Sequence, residues 1–412
     1  MAKLIVLFVV AFVDMVGLVM ILPLLPYYAT TFGASATVVG VLVSAFSLAQ
    51  LTFAPIWGRF SDRYGRRPVI LFGLVITAVA YVVFGLADTV IVLLVSRVIQ
   101  GMGGGTIGVV QAYVADVSAP EERTKSLGWL SAVTSLGAVV GPAFGSAIVA
   151  IGGQRAPGFA AAGLALLVAV FAQRYLRETE AEAGSEEGAT TGEITTAGAI
   201  TRVLTRWDEP APRLIWIYAI AIGAFYGTVP VMPLLLSDRL GVTEQTIGYV
   251  IMYLGAMGVI VRAFLLGRLV DWLGEARLAR VGIVLLSGGL ATMSITNSYQ
   301  TLLVSLTLMP LGTACLFPCI TSLLSRVVRR RDRGLYMSVQ HTFGGVSRVA
   351  FPVGAGVVMD QFGLGVPFVI AAVLVLASFP LTAAIGGYEV AKAEDRRPAL
   401  TAADVTNEIA VE

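Results

Sequence analysis

Polar residues in this chain fall in short clusters, and the stretches between them are almost wholly apolar. A helix needs about 20 mostly apolar residues to cross a hydrocarbon core. Twelve stretches meet that need, near 4–28, 36–57, 68–87, 90–115, 126–150, 157–176, 213–236, 246–266, 278–297, 300–324, 335–357 and 365–387. Inside a bilayer the backbone finds no water to bond, so each stretch is predicted to be a helix. Most breaks are short and polar, or rich in Gly and Pro. Residues 177–212 differ. Glu, Ala, Gly and Thr dominate there, too little apolar surface for the segment to order itself, and it reads as a linker. Within it, Ile200 to Trp207 suits the membrane surface, because Arg202 and Arg206 share a helical face. A second polar stretch, from about Glu389 to Glu412, reads as a tail.

The pattern repeats. Gly58-Arg59-Phe60-Ser61-Asp62-Arg63-Tyr64-Gly65-Arg66-Arg67 sits between two apolar stretches, and a worn copy, Gly267-Arg268-Leu269-Val270-Asp271-Trp272-Leu273-Gly274, sits between two others half a chain later. Pro23 and Pro26 match Pro230 and Pro233, Gly33 and Gly40 match Gly241 and Gly248, and Pro142 matches Pro352. The copies run in the same direction and each holds an even number of spans, which makes them parallel repeats about an axis along the membrane normal. The predicted fold is an all-α membrane protein of twelve transmembrane helices in two six-helix bundles, with a pathway between them. The expected divisions are a first bundle over 1–176, the linker over 177–212, a second bundle over 213–388 and the tail over 389–412.

Composition excludes the soluble classes: 57% of the 412 residues are hydrophobic and only 13% are charged. Basic residues are retained in cytoplasmic loops. Arg59, Arg63, Arg66, Arg67, Arg123, Lys125, Arg268, Arg277 and Arg280 mark one side, as do the arginines from Arg326 to Arg333, while the other side shows little beyond Arg155 and Arg239. Both termini are therefore expected in the cytoplasm. The net charge of +2 reads as this topological bias and not as a nucleic-acid partner. Asp14 interrupts the first apolar run and no small-residue cleavage site closes it, so the run is read as a retained span and not a secretory signal. Cys315 and Cys319 lie one turn apart in an apolar span with no polar partners, which favours packing over metal or disulfide. Gly103-Gly104-Gly105-Thr106-Ile107-Gly108 satisfies a dinucleotide pattern but follows no strand. No Walker lysine, H-E-x-x-H or G-x-S-x-G pattern occurs, so no cofactor, no metal and no enzymatic reaction is expected.

Four motifs carry a resemblance. They are Gly58-x-x-x-Asp62-Arg63-x-Gly65-Arg66-Arg67; Arg97-x-x-Gln100-Gly101-x-Gly103, followed by Ala112-Tyr113-Val114-Ala115-Asp116; Gly137-x-x-x-Gly141-Pro142-x-x-Gly145; and Asp14-x-x-Gly17 running on to Pro23 and Pro26. The chain resembles the major facilitator superfamily over nearly its whole length, and within it the twelve-span drug:proton antiporter branch. The last motif is similar to that of tetracycline-efflux proteins. Those pumps carry an acidic residue in the ninth span, whereas 281–297 has none, so tetracycline is not carried over as substrate. The resemblance implies two bundles that rock between inward and outward access. It also implies a cytoplasmic latch at Gly58, Asp62, Arg63, Gly65, Arg66 and Arg67, with Asp116 and Glu121 as partners and Asp271 as the second-half counterpart. In that latch Asp62 would accept hydrogen bonds from a helix start in the other half, and the charge cluster would hold the outward-facing state and break when the protein turns inward. Topological charge alone accounts for Arg66 and Arg67 but poorly for Gly58, Asp62 and Gly65, which favours the latch.

Asp14 lies about ten residues into its span, roughly 15 Å along a helix and so near the midplane. A carboxylate there is functional or paired, and a protonatable acid facing a cavity is what a proton antiporter needs. The alternative is a structural hydrogen bond from a protonated Asp14. Arg97 and Arg348 lie within spans and cannot shed their protons, so each must pair, snorkel or face water. The resemblance implies proton coupling for Arg97, next to Asp14 or to substrate. Arg348 shares a helical stripe with His341, Gly344 and Gly345, which is either cavity lining for an anionic or polar group or a contact between bundles. His341 titrates near neutrality and is a candidate proton relay, unless it lies at the cytoplasmic surface. Arg262 either lines the cavity or snorkels to the cytoplasm. Gln100, Tyr226 and Gln340 are the remaining cavity candidates, with Tyr226 placed to stack on an aromatic or cationic substrate. Gln111, near a helix end, reads as a bridge between helices. Gly137, Gly141 and Gly145 form a stripe that lets helices approach, and with Pro142 it either seals the halves as they rock or packs tightly in the ordinary way.

These residues predict a secondary active transporter, acting as a monomer in the lipid bilayer of the cell membrane, that exports a small amphipathic compound while protons enter. Asp14 would release substrate on protonation from outside and rebind it after losing the proton inward. Two alternatives stay open: a symporter or uniporter for a sugar or organic anion, and a non-transporting membrane sensor.

Overall fold

The computed structural model describes residues 2–119, 121–176, 196–329 and 331–382. The first part of the expected linker, 177–195, the tail over 389–412 and the end of the last expected span lie outside the described residues. All regular structure among the described residues is helical. The first half comprises α1 (Ala2–Ile21), α2 (Leu25–Thr31), α3 (Ala36–Tyr64), α4 (Arg66–Gly85), α5 (Val90–Gly104), α6 (Ile107–Val117), α7 (Arg123–Gly152) and α8 (Ala156–Tyr175). A connecting helix, α9 (Thr196–Thr205), precedes α10 (Pro210–Thr228), α11 (Met232–Leu240), α12 (Ile247–Ile260), α13 (Leu266–Leu273), α14 (Glu275–Ser294), α15 (Tyr299–Val327), α16 (Arg333–Phe362) and α17 (Val366–Ala377). Ten of the described helical segments are long and apolar enough to cross a membrane, or eleven if α10 and α11 count as one broken span. The short α17 with the 3₁₀ turn Phe379–Thr382 continues toward the twelfth.

Several spans are broken where the sequence forbids an unbroken helix. Proline cannot donate a backbone hydrogen bond. Pro23 and Pro26 accordingly separate α1 from α2, while Pro230 and Pro233 separate α10 from α11, which meet at 44°. The glycine run dismissed as a nucleotide site has a structural use, parting α5 from α6. Carbonyls freed at that break find partners on α3: Trp57 Nε1 donates to Met102 O at 2.7 Å, and Gln50 Nε2 donates to Gly104 O at 3.2 Å. The eighth span is interrupted by a π-helical turn, Val261–Leu265, between α12 and α13.

The duplication extends to the backbone. Among the described residues only Gly33, Gly65, Gly153, Gly241, Gly274 and Gly363 have positive φ, and they form three pairs at matching turns: 33 with 241, 65 with 274, and 153 with 363. Each turn needs a left-handed residue, which glycine adopts without steric cost.

The halves pack through α3 against α16 and α12 against α7. Contacts gather at one end of the bundle. Gly40 lies on the Pro352 carbonyl, Gly248 on that of Pro142, and Gly356 on that of Ala36. Ser44 Oγ donates to Val349 O at 2.6 Å. Asp360 accepts from Ala36 N, Thr37 N and Thr37 Oγ1 at 2.9, 2.9 and 2.6 Å, capping the first turn of α3 from the opposite half. Ser146 Oγ accepts from Gly248 N at 2.9 Å and donates to Glu244 O at 2.6 Å, doing the same for α12. Every one of these contacts lies toward the end remote from the Gly58–Arg67 turn.

Two expectations are revised. The glycine stripe of α7 does not join the halves: Gly137, Gly141 and Gly145 face Phe12, Val16, Val19 and Met20 of α1, inside the first half. A helix turns about 100° per residue, so Pro142 and Ser146, one position on, are the residues that reach α12. The later part of the linker is also ordered. Ala199 and Val203 of α9 are fully buried where that helix packs against α10 and α16, and Trp207 stacks on Trp216 at 5.1 Å.

Candidate functional site

Two cavities occupy the bundle toward the Gly58–Arg67 end. The first, about 700 Å³, lies within the first half between α1, α4, α6 and α7. Among the described residues Asp14 is the one charged residue in its wall, and Gln111, Ser131 and Thr134 supply the other polar groups. Half-buried Asp14 pairs with no cation among the described residues. Gln111, read from the sequence as a bridge between helices, instead shares this cavity with Asp14.

The second cavity, about 720 Å³, lies mainly in the second half between α10, α12, α15 and α16, and α7 closes one side of it. Arg262 and Arg348 line it with Tyr226, and among the described residues no carboxylate does. The Arg348 guanidinium lies 4.7 Å from the centre of the Tyr226 ring. Tyr226 thus already stacks on a cation, one belonging to the protein itself.

Arg97 lines neither cavity. It is 1% exposed, and its Nη2 donates to Gln100 Oε1. Gln100 Nε2 then donates to the Tyr81 hydroxyl at 3.2 Å. The guanidinium sits 5.3 Å from the Phe46 ring centre, with Nε and Nη1 unpartnered. Arg97 and Asp14 form no ion pair. The chain of contacts from Arg97 ends at Tyr81, whose hydroxyl abuts Gly17 on α1, one turn beyond Asp14. Tyr81 carried no sequence signal beyond being a polar residue in an apolar span.

Gln100 and Gln340, expected in the cavity, are instead consumed inside the bundles. Gln340 is 1% exposed and its Nε2 reaches Thr321 Oγ1 at 3.4 Å, behind the wall of the second cavity. The stripe drawn through Arg348 divides. Gly344 faces Tyr218, Gly345 faces Leu51 of the first half, and His341 is exposed and lines neither cavity.

At the loop, Arg66 gathers three partners: Asp62 at 2.6 Å, Asp116 at 3.0 Å and Ser61 Oγ at 2.6 Å. Arg67 donates to Gln173 O at 2.6 Å, and Arg63 leans on the Tyr64 ring. All of these contacts stay within the first half, so in this structure Asp62 does not reach the other bundle. A side chain on Gly58 would meet open space, and Asp271 is exposed without an ion pair among the described residues. Glu121 is exposed as well. The second half forms its own cluster: Glu275 Oε1 accepts from Arg326 at 2.6 Å and from Ser322 Oγ at 2.8 Å. Glu275 stands where the repeat puts Arg66. The motif copy read from the sequence ended one residue short of it, at Gly274.

A family model of the Major Facilitator Superfamily matches residues 7–293 and again 214–403. The chain belongs to the Major Facilitator Superfamily. It is similar to multidrug resistance protein 1 of Bacillus subtilis (strain 168), 28% identical over 90% of this chain and 93% of that one. It is also 28% identical to the class B tetracycline resistance protein of Escherichia coli, over 84% of this chain and 86% of the relative. A bacterial homolog of the human lysosomal transporter Spinster, crystallised inward-facing and occupied, shares the fold with a TM-score of 0.75 at 16% identity, covering 93% of this chain and 96% of that one. Membership in this superfamily of transporters, with the apolar helices, makes the chain a multi-pass membrane protein that handles small molecules. The broken first, fourth and seventh spans and the crosswise packing of α3 on α16 and α12 on α7 are the form the superfamily fold takes here.

Proposed function

We propose that this protein is a secondary active transporter that exports small amphipathic compounds in exchange for protons, acting as a monomer in the cytoplasmic membrane and performing no chemistry on its substrate. The observation that carries this reading is Asp14, the lone charge among the described residues that line the first cavity. Protonation from outside neutralises that charge and changes what the cavity holds, and loss of the proton inward restores it. The sequence relatives, named for multidrug and tetracycline resistance, support efflux.

The basic turns favour a cytoplasmic position for the Gly58–Arg67 end and for both termini. With that orientation, halves joined at the far end and cavities near the basic end describe an inward-open state. Asp62 then belongs to a latch whose partner in the other half is engaged in the outward-open state, while the Arg66–Asp116 pair within the first half, expected to break facing inward, stays made. Bundles 1–176 and 213–388 are the rocking units.

The test is substrate-evoked proton release from reconstituted vesicles, using a panel of amphipathic anions, cations and neutral drugs, for the parent and for Asp14→Asn. Proton movement evoked in the parent and lost in the variant is the expected result. Substrate flux that stays proton-linked in Asp14→Asn would overturn the role of Asp14.

A further inference from the structure

The second cavity has the wrong charge for a cation. Arg262 and Arg348 both line it, and no carboxylate stands in its wall among the described residues. Neither guanidinium has a described carboxylate in ion-pair range. A guanidinium cannot neutralise itself by losing a proton, and a buried polar nitrogen is ordinarily hydrogen-bonded. Arg348 Nε is nonetheless buried with no partner. Its guanidinium carbon lies over the Tyr226 ring at 4.7 Å from the centre, a contact that steadies the fork without using any of its donors.

Arg262 is displayed in an unusual way. It lies on the π-helical turn Val261–Leu265, and π-turns inside α-helices recur at functional sites. The repeat matches this turn to the part of α3 around Phe53, where the helix runs without interruption. The position matching Arg348 falls near Ala138 in the first half. Both cations and the turn that carries one of them are therefore particular to the second half, added to the duplicated frame.

We infer that the second cavity binds an anionic group, a carboxylate or sulfonate, carried by an amphipathic substrate whose apolar part lies against Tyr218, Phe225 and Phe317. The guanidiniums supply paired donors matched to such a group, and the low-dielectric wall disfavours a cation in the same place. This assignment rests on the exporter reading above and names its substrate class as amphipathic acids, anionic or zwitterionic. The proton site and the anion site then lie in different halves, bordered by Thr134 and Ser135, neighbours on α7.

The experiment is fluorescence-detected binding to the purified full chain, without a proton gradient. Its probes are dansylglycine, its uncharged methyl ester and the tetraphenylphosphonium cation. Dansylglycine is expected to bind at least tenfold more tightly than the ester or the cation. Arg262→Gln and Arg348→Gln should each weaken it at least tenfold and leave the elution profile of the protein unchanged. Arg262→Lys and Arg348→Lys keep the charge and should retain part of the affinity, which separates charge recognition from a folding defect. Failure of dansylglycine to bind, equal binding of ester or cation, or anion affinity that survives both Gln substitutions overturns the inference. Because binding needs no gradient, anion binding without proton-linked flux counts against the exporter reading alone, and proton-linked export of cations only counts against the anion site alone.

Discussion

Gly248 lies so close to the Pro142 carbonyl that a Cβ on it would stand 2.0 Å from that oxygen. Gly40 has the same relation to Pro352, at 2.2 Å. The two contacts are images of each other across the duplication, each tying a glycine of one half to a proline of the other. Gly40→Ala and Gly248→Ala should each force the halves apart at this end, since overpacking costs about 1–3 kcal/mol and here the obstacle is backbone. Spin labels at Thr31 and Phe362, on opposite halves, report the separation. A longer distance in either variant is the expected outcome, and an unchanged distribution would show that the close approach does not hold the halves together.

Asp360 holds α3 by three hydrogen bonds from across the interface. A carboxylate at a helix N-terminus both fills orphan donors and meets the positive end of the helix dipole. Bonds to a charged acceptor contribute roughly 1.5–3 kcal/mol, enough to shift a two-state balance by about ten- to a hundredfold. Asp360→Ala should therefore favour the state in which this end is open. Its readout is labelling of Ser44→Cys, a position now bonded to Val349 O, by a water-soluble maleimide. Faster labelling in the Ala variant, with an intermediate rate for Asp360→Asn, fits the cap; equal rates in all three would remove it from the mechanism.

Arg66 with Asp116, and Glu275 with Arg326, are ion pairs at matching places with the charges exchanged. Partly exposed pairs contribute about 0.2–1 kcal/mol, so the consequence should be read in transport and not in folding. Asp116→Arg alone places two cations together and should slow flux several-fold. Combining it with Arg66→Asp restores one attraction, and recovery of flux in the double variant is expected. A double variant no better than either single one would mean that Arg66 acts through Asp62 or Ser61 instead.

Much of this arrangement was legible in the sequence. Apolar runs set the spans, and the offsets between Gly40 and Gly248 and between Pro142 and Pro352 set the repeat. What the offsets did not reveal was that these residues pair crosswise, because facing between two bundles leaves no periodic trace in either. The same gap misassigned Gly137, Gly141 and Gly145: the stripe was visible, but the helix it faces was not. Gln111 reads from the sequence as lying near a helix end, yet it sits in the middle of the short helix α6, which lines the first cavity from Ile107 to Ala115. Asp14, Arg262, Arg348 and Tyr226 stood out because polar groups in hydrocarbon are rare. Gln100 and Gln340 stood out for the same reason and turned inward, since a buried amide is satisfied as well by a neighbouring side chain as by a ligand.

Tyr81 is where the buried network of Arg97 and Gln100 meets α1. Tyr81→Phe deletes one oxygen and leaves Gln100 Nε2 buried without an acceptor, which costs about 1–3 kcal/mol. The variant should lower the thermal unfolding midpoint of the purified protein. Because the hydroxyl abuts Gly17, one turn from Asp14, it should also reduce proton-linked flux more than substrate binding. Arg97→Lys makes the complementary test: it keeps the charge but not the planar fork that reaches Gln100. If both variants lower the midpoint and only flux falls with them, the network positions Asp14 for its proton. If the midpoint falls while flux and binding fall together, the network serves only to hold α4 and α5 against α1.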